Sequence, residues 1–212
     1  MIKVLSFDLE GTLTTLSFSK KVWNEGIPKL YAEQNGVSFS EAYEIVLKEY
    51  WKIGDDRVEW YDIKFWFKKL NLRSDWRSLL RAYLKDLAIY PEVPKVLSYF
   101  KGRKRLIIIS NSSREFLDIA LKLIGDYFDE AFSAVSDFNM LKDDPKLYEI
   151  ICERLNVEPG ELSHVGDHYL CDYLTPRKLG IRSFFLDRSG MLRGEWVVKD
   201  LLDFRERVRR DC

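Results

Sequence analysis

Apolar residues follow two different rhythms along the chain, and the change between them divides the sequence. Residues 2–7 form a short, mostly apolar run, which is typical of a strand buried on both faces of a parallel sheet. From residue 17 to about residue 88, apolar positions recur only at helical spacing. After Pro91, strand-like and helix-like segments alternate. Such alternation predicts a parallel sheet that is covered by helices on both faces.

The middle segment predicts a helical insertion. Ser40 is expected to cap its second helix and Ser74 its last, because serine accepts a hydrogen bond from the first turn. The segment holds five of the six tryptophans, and the helical spacing of aromatic residues there favours core packing for most of them. The predicted helices cover residues 20–36, 41–53, 58–70 and 75–87.

The alternating segment predicts the remainder of the sheet. We therefore expect an α/β fold, with a Rossmann-like parallel sheet core formed by residues 1–16 and 89–212 and an all-helical cap formed by residues 17–88. Its predicted strands cover residues 105–110, 131–136, 162–167 and 182–187, and its predicted helices cover residues 92–102, 114–125, 146–156, 173–180 and 200–210.

Composition and charge exclude several classes of protein. The 212 residues include 34 basic and 34 acidic side chains, so no net field favours nucleic acid or an anionic membrane surface as a partner. No apolar run approaches the roughly 20 residues of a membrane span, and the first residues do not resemble a signal peptide. Cys152, Cys171 and Cys212 show no metal-type spacing. We expect free thiols and a cytoplasmic location.

Polar side chains that can do chemistry recur where predicted strands end. Ligands of open α/β sheets bind beyond the carboxyl ends of the strands, so these side chains are expected to converge. By contrast, His164 lies inside a predicted strand and is expected to be a hydrogen-bonded core histidine. The candidate residues are Asp8, Glu10 and Thr12 after the first strand, Ser110 and Asn111 at the end of the strand at 105–110, Lys142 before the helix that opens near Pro145, and Asp167 and Asp172 at and beyond the end of the strand at 162–167.

Taken in order, four segments of the chain resemble the four motifs of the haloacid dehalogenase superfamily, most of whose members are phosphatases: FDLEGT, IIISNS, LKDDP and HVGDHYLCD. The helical insertion follows the first motif, as the cap does in the phosphatase-like branch of that superfamily. The resemblance spans nearly the whole chain and implies a hydrolase fold with a helical cap.

The resemblance implies a Mg²⁺ cofactor held by oxygen ligands. Asp8 and Asp167 would supply carboxylates, the residue at Glu10 would supply its backbone carbonyl, and Asp172 would be the fourth residue of the metal site. Asp172 would hold either a water of the ion's shell or Lys142. A hard cation of this kind offsets the repulsion between an anionic phosphate ester and a carboxylate nucleophile.

The same resemblance implies the roles of the remaining residues. Asp8 would attack phosphorus to form an aspartyl-phosphate, and Glu10 would protonate the leaving alkoxide and later deprotonate water. Ser110 and Lys142 would bind and stabilise the phosphoryl group. Thr12 and Asn111 are also expected near the substrate, with Thr12 bracing the loop.

Glu10 departs from the commonest first motif, which has aspartate at this position. The extra methylene moves the carboxyl group by roughly 1.5 Å. Glutamate nevertheless favours phosphate-ester chemistry, because the metal-independent 2-haloacid dehalogenases of the superfamily carry an aromatic residue there. Three alternatives to a phosphatase of a small phosphorylated metabolite stay open: such a dehalogenase, a phosphomutase, and a non-catalytic binding protein. The chain is expected to be a monomer or a homodimer, and neither its substrate nor the cap residues that select it follow from the sequence.

Overall fold

A computed structural model describes residues 1–209, so the predicted thiol at Cys212 and the last residue of the helix predicted at 200–210 lie outside the described residues. Its contacts divide the chain into two compact units. One unit comprises Met1–Thr14 with the chain from Ile89 onward, and the other comprises Thr15–Ala88. The first boundary therefore lies two residues before the one expected after residue 16.

The larger unit is built on six parallel strands, which confirms the predicted α/β, Rossmann-like fold. The strand order is β3-β2-β1-β4-β5-β6, so the first strand of the chain lies at the centre. Four-residue β1 is completely buried, as its apolar run predicts. The strands are β1 Val4–Phe7, β2 Arg105–Ser110, β3 Glu130–Ser133, β4 Leu162–Gly166, β5 Arg182–Leu186 and β6 Val197–Val198.

Helices cover both faces of this sheet, and the strands alternate their side chains between two apolar clusters. In β2, Leu106 and Ile108 pack in one cluster with the helices that begin at Val93, Arg114 and Leu201. Ile107 and Ile109 pack in the other cluster with the helix that begins at Pro145. The helices of this unit are Val93–Phe100, Arg114–Ile124, Ala134–Phe138, Pro145–Leu155, Thr175–Arg177 and Leu201–Val208.

Two predictions in this unit are wrong in detail, and one strand was missed. The strand predicted at 131–136 ends at Ser133, whose hydroxyl accepts a hydrogen bond from the Ser136 backbone and begins a helix. The helix predicted at 173–180 is replaced by a π-helical turn, Tyr169–Leu174, followed by the short helix Thr175–Arg177. The edge strand β6 was not predicted.

The smaller unit contains only helical elements. Trp66 is fully buried at its centre and lies 4.6 Å from Tyr50 between ring centroids, in an edge-to-face arrangement. Trp51, in contrast, is 67% exposed, so core packing does not hold for every tryptophan. The helices are Ser17–Lys21, Ile27–Asn35, Phe39–Ile53, Ile63–Lys69 and Trp76–Tyr83, with a π-helical turn at Val22–Gly26 and 3₁₀ turns at Val58–Tyr61 and Leu84–Asp86.

Both predicted caps in this unit are wrong. Ser38, not Ser40, caps Phe39–Ile53 by accepting a hydrogen bond from the Glu41 backbone. Asp75, not Ser74, caps Trp76–Tyr83. The helix predicted at 20–36 is interrupted by the π-helical turn at Val22–Gly26. The helix predicted at 58–70 begins as the 3₁₀ turn Val58–Tyr61 and becomes α-helical only from Ile63. Across the described part of the chain, every helix is too short or too polar to cross a bilayer.

Candidate active site

The carboxyl ends of the three central strands bring the candidate residues to one edge of the sheet. The backbone N–H of Asp8 donates to the carbonyl of Val165 at 2.9 Å, so Asp8 continues the pairing of β1 with β4. Ser110 is the last residue of β2, and Asp167 follows Gly166, the last residue of β4. Residues separated by about a hundred positions therefore meet where open α/β sheets bind ligands.

A buried lysine joins two of the predicted carboxylates. Lys142 Nζ donates to Asp8 Oδ1 and, at 2.6 Å, to Asp172 Oδ1. All three residues are buried. Charged groups away from water must be paired, and here one ammonium group satisfies two carboxylates. Burial works against the charged lysine, but Asp172 and Asp8 outweigh it and hold the pKa of Lys142 well above its ordinary value.

Asp172 is the most firmly held carboxylate of the site. Its Oδ1 atom lies 3.0 Å from His164 Nε2, and its Oδ2 atom accepts a hydrogen bond from the backbone of His168 at 2.9 Å. His164 Nδ1 lies 2.8 Å from Ser6 Oγ, which confirms His164 as a hydrogen-bonded core histidine. Burial alone would raise the pKa of Asp172, but Lys142 and His164 outweigh it and hold that pKa well below its usual range.

Three carboxylates of the site form a group that could hold a cation. Asp8, Asp167 and Asp172 each offer an oxygen, and these oxygens lie within 4.8 Å of one another. Burial, together with Asp8 and Asp172, raises the pKa of Asp167 to about 7. Burial also raises the pKa of Asp8, although Lys142 opposes the shift. The site is therefore short of positive charge, and its oxygen donors are those that Mg²⁺ prefers.

The loop after β1 is a tight turn that presses against this group. The backbone N–H groups of Leu13 and Thr14 both donate to the carbonyl of Leu9, and Gly11 N–H donates to Thr14. Gly11 has φ +83°, a conformation that favours glycine, and a Cβ atom there would lie under 3.0 Å from the carboxylate of Asp167. Both the backbone conformation and the limited space therefore favour glycine here.

The other predicted residues take different positions in this loop and its neighbours. Glu10 is half-buried and forms an isolated bridge with Thr14. Thr12 is fully buried, and its hydroxyl has no hydrogen-bond partner among residues 1–209. Ser110 Oγ accepts a hydrogen bond from the Ser112 backbone at 3.1 Å. Asn111 Oδ1 accepts one from the Lys142 backbone at 2.9 Å, so Asn111 positions the segment that carries the lysine.

Sequence reasoning missed Arg188, which contacts the loop after β1. Its guanidinium group donates to the carbonyls of Gly11 at 2.9 Å and Thr12 at 2.6 Å. A signal for it existed, because Arg188 follows the carboxyl end of β5 by two residues. The rule that directed attention to the ends of the other strands applies equally to this one.

Comparisons with known proteins agree with this architecture. Residues 2–180 match a family model described as haloacid dehalogenase-like hydrolase. The (S)-2-haloacid dehalogenase 4A of Burkholderia cepacia is 27% identical over 147 residues, which are 67% of this chain but only 61% of that protein. The GMP/IMP nucleotidase YrfG of Escherichia coli (strain K12) is 21% identical over 78% of this chain and 74% of its own length.

Solved structures with the same fold include both kinds of enzyme. A HAD phosphatase from Thermococcus onnurineus superposes with a TM-score of 0.84 and 29% identity, covering 98% of both chains. A 2-haloacid dehalogenase from Pseudomonas syringae pv. Tomato DC3000 gives a TM-score of 0.71 with 22% identity, and both chains are covered completely, which shows the fold alone. Because the family model spans most of its length, this chain belongs to the haloacid dehalogenase-like hydrolases.

Proposed function

We propose that the protein is a Mg²⁺-dependent phosphatase that hydrolyses a small phosphorylated metabolite. The observation that carries the proposal is the group of Asp8, Asp167 and Asp172, whose carboxylate oxygens lie within 4.8 Å of one another while one ammonium group, that of Lys142, pairs with only two of them. A metal-independent reaction would leave this excess of negative charge beside a nucleophile. A divalent cation relieves it, and a phosphate ester needs that cation to approach a carboxylate.

The oxygen donors of the site suit Mg²⁺. The carboxylates of Asp8, Asp167 and Asp172 would hold the ion, together with the backbone carbonyl of Glu10 that the family resemblance implies. The chemistry that Mg²⁺ supplies, when it is bound, is charge neutralisation and orientation of the phosphoryl group. Gly11 leaves the space in which the Asp167 carboxylate stands beside the loop.

The residues of this chain would divide the reaction into two displacements. In the first, an oxygen of Asp8 attacks phosphorus and forms an aspartyl-phosphate, while Glu10 gives its proton to the departing alkoxide. In the second, Glu10 takes a proton from water, the resulting hydroxide displaces phosphate from Asp8, and the enzyme returns to its starting state. Lys142 holds the Asp8 carboxylate through Oδ1 and pairs with charge that develops on the phosphoryl group.

The polar residues of the neighbouring loops would support these steps. The hydroxyl of Ser110 would donate to a phosphoryl oxygen, since its bond to Ser112 uses it only as an acceptor. The contacts of Asn111 and the burial of Thr12 support indirect roles, in positioning Lys142 and bracing the loop, in place of the substrate contact first expected for both.

The substrate class and location belong to the same proposal. The helical insertion would serve as the cap that selects a compact metabolite. Purine nucleoside monophosphates are the first substrates to test, because the relative YrfG is described as a GMP/IMP nucleotidase. We propose a cytoplasmic location, which the free thiols of Cys152 and Cys171 support.

Metal-independent dehalogenation is the second candidate, because (S)-2-haloacid dehalogenase 4A is among the similar proteins. The two functions separate in one experiment. We expect phosphate release from a panel of phosphomonoesters that requires Mg²⁺ and stops in EDTA, with no halide release from 2-chloropropionate in EDTA. Halide release without phosphate release would support the dehalogenase. Transfer of phosphate to a second hydroxyl would indicate a phosphomutase, and no turnover with the whole panel would favour a binding protein.

A further inference from the structure

Arg188 binds the loop after β1 at two adjacent carbonyl groups. Its Nε atom donates to the carbonyl of Gly11 at 2.9 Å, and its Nη2 atom donates to the carbonyl of Thr12 at 2.6 Å. The planar guanidinium group presents donors in a fixed fork, which fits two acceptors at a defined spacing. The two hydrogen bonds thus fix the orientation of the loop as well as its position.

Two further contacts fix Arg188 itself. Its Nη1 atom donates to Glu92 Oε1 at 2.7 Å, and its guanidinium carbon lies 3.4 Å from the ring centroid of Tyr90. An ion pair and a stacked aromatic ring together hold this long side chain in one conformation and offset the rotamer entropy that it loses on being ordered. The side chain is 21% exposed, so these contacts are partly shielded from solvent.

The two carbonyls belong to the residues that directly follow Glu10. Gly11 and Thr12 lie inside the turn that Leu9 and Thr14 close through their backbone hydrogen bonds. Gly11 is bonded directly to Glu10 and its Cα lies against the Asp167 carboxylate, so the position of Gly11 constrains both acidic residues. The group that holds the carbonyls of Gly11 and Thr12 therefore fixes the backbone position from which the Glu10 side chain extends.

We propose that Arg188 is a positioning residue for proton transfer, which holds the turn so that Glu10 reaches the oxygen of the leaving group. The inference rests on the proposed phosphatase function. The hydrogen bonds of Arg188 go to the carbonyls of Gly11 and Thr12 and to Glu92, so it would act through the loop. Glu10 is one methylene longer than the aspartate that commonly stands at its position in the family, so the placement of its backbone bears directly on the reach of its carboxyl group.

The test compares two substrates that differ in their need for protonation. An alkyl phosphate expels a basic alkoxide, which needs the proton from Glu10, whereas p-nitrophenyl phosphate expels a stable phenolate. In Arg188→Ala we expect kcat for the alkyl phosphate to fall by about 10²-fold, the loss typical of a misplacement of 1 Å. The kcat for p-nitrophenyl phosphate should fall by less than about tenfold, and KM should change little for either substrate.

Two variants calibrate this measurement. Glu10→Ala removes the acid and should show the largest ratio between the two losses. Arg105→Ala is the matched control, because Arg105 also joins a backbone carbonyl, that of Leu155 at 3.0 Å, to a carboxylate, that of Glu130. Arg105 begins β2 at the opposite edge of the sheet. Its loss should leave the ratio of the two rates as in the wild type.

Chemical rescue adds a readout that a general loss of stability would not give. Millimolar guanidinium chloride should restore part of the alkyl phosphatase activity of Arg188→Ala and none in Arg105→Ala. If Arg188→Ala does not fold, Arg188→Lys replaces it. Lysine keeps the charge but cannot bridge two carbonyls, so the same selective loss is expected at about tenfold.

The outcomes separate this inference from the proposed function. Three results would overturn the positioning role while Mg²⁺-dependent turnover stands. They are equal losses for both substrates in Arg188→Ala, a wild-type ratio of the two rates in Arg188→Lys, and a ratio in Arg105→Ala that is changed as much as in Arg188→Ala. If the wild type turned over neither substrate, that result would instead contradict the proposed function. A selective loss shared by Arg188 and Glu10 variants, and absent from Arg105, supports the inference.

Discussion

Ion pairs at the two ends of the parallel strands in the larger unit differ in burial. We call the end where the strands finish the carboxyl edge and the end where they begin the amino edge. At the carboxyl edge, the side chains of Lys142 and Asp172 are 3% and 0% exposed and lie within 2.6 Å of each other. At the amino edge, Lys3 pairs with Glu161 at 2.5 Å, but their side chains are 61% and 25% exposed. Exposed pairs contribute little to stability, and buried ones are expensive to form.

This difference shows that the fold buries charge at the carboxyl edge at a cost in stability. The Lys3–Glu161 pair could be lost with little effect, whereas Asp8 and Asp167 keep raised pKa values because burial and neighbouring carboxylates disfavour their charges. Carboxylates that destabilise one another persist where a ligand or a reaction needs them. The comparison predicts that substitutions at the carboxyl edge have large effects on activity, stability or both, while those at the amino edge change neither much.

Asp8→Asn should give the largest effect on activity. The amide keeps the shape and a hydrogen-bond acceptor for Lys142 but cannot attack phosphorus, so we expect kcat to fall by about 10⁴-fold or more. The metal-free variant should be at least as stable as the wild type, because a buried charge with a raised pKa is removed. Phosphate release and urea denaturation at the same pH measure the two quantities. Full activity in this variant would contradict the nucleophile assignment.

Lys142→Met should give the largest loss of stability. It leaves Asp8 and Asp172 buried without their shared ammonium group, a change that costs about 3–5 kcal/mol in the free energy of unfolding. Lys3→Met is the matched control, and its exposed pair with Glu161 should cost at most about 1 kcal/mol.

Urea denaturation of both variants at neutral pH makes this comparison. Similar losses in Lys142→Met and Lys3→Met would show that the two edges do not differ as argued. A smaller loss for Lys142→Met in acid is expected, because Asp8 can then take up a proton and become neutral.

Much of the carboxyl edge could be predicted from the sequence. Apolar runs located the central strands, and parallel pairing brings their carboxyl ends together, so Asp8, Lys142 and Asp172 were expected to meet. The contact between His164 and Asp172 was not predicted, although His164 was correctly expected in the core. A contact between a strand and the turn after it depends on side-chain direction, which periodicity does not give.

Other features had no local signal. β6 consists only of Val197–Val198, and its register with Phe185 and Leu186 defines it as a strand. Its assignment therefore depends on tertiary pairing. Ser38 and Ser40 are equally good capping residues, and the choice between them is made by where the backbone leaves the extended conformation, at Ser38. For Arg188 the sequence indicated only its position two residues after β5, and its partners, carbonyls more than 170 positions away, follow from no spacing rule.

Gly11→Ala sharpens the comparison within the carboxyl edge. A Cβ atom there would meet the Asp167 carboxylate, whereas one at Gly180 would meet nothing within 4 Å. Both glycines have nearly the same φ, +83° and +84°, so Gly180→Ala controls for backbone strain. We expect Gly11→Ala to cost about 2 kcal/mol more than Gly180→Ala, as overpacking commonly does. Denaturation measures this difference, and equal costs would exclude the contact as its cause.

Magnesium affinity should also separate the two glycine variants. The new methyl group in Gly11→Ala should displace the Asp167 carboxylate and weaken Mg²⁺ binding, because the residues that hold a cation must keep their geometry. Calorimetry measures this affinity. Gly180→Ala should bind Mg²⁺ as the wild type does.

The pH dependence of Mg²⁺ binding is the smallest expected effect and tests the charge balance of the carboxyl edge directly. The pKa of Asp167 is raised from 3.8 to about 7 in the metal-free protein, so its contribution to stability is complete below about pH 4 and is lost as the pH rises through about 7. Mg²⁺ binds the ionised carboxylate and displaces that proton, so its affinity should rise by about tenfold, or about 1.4 kcal/mol, between pH 6 and pH 8. Thermal unfolding with and without Mg²⁺ at each pH measures this as a larger stabilisation at pH 8. The Asp167→Asn variant should show a smaller pH dependence, and an equal stabilisation of the wild type at both pH values would contradict a role for Asp167 in holding the ion.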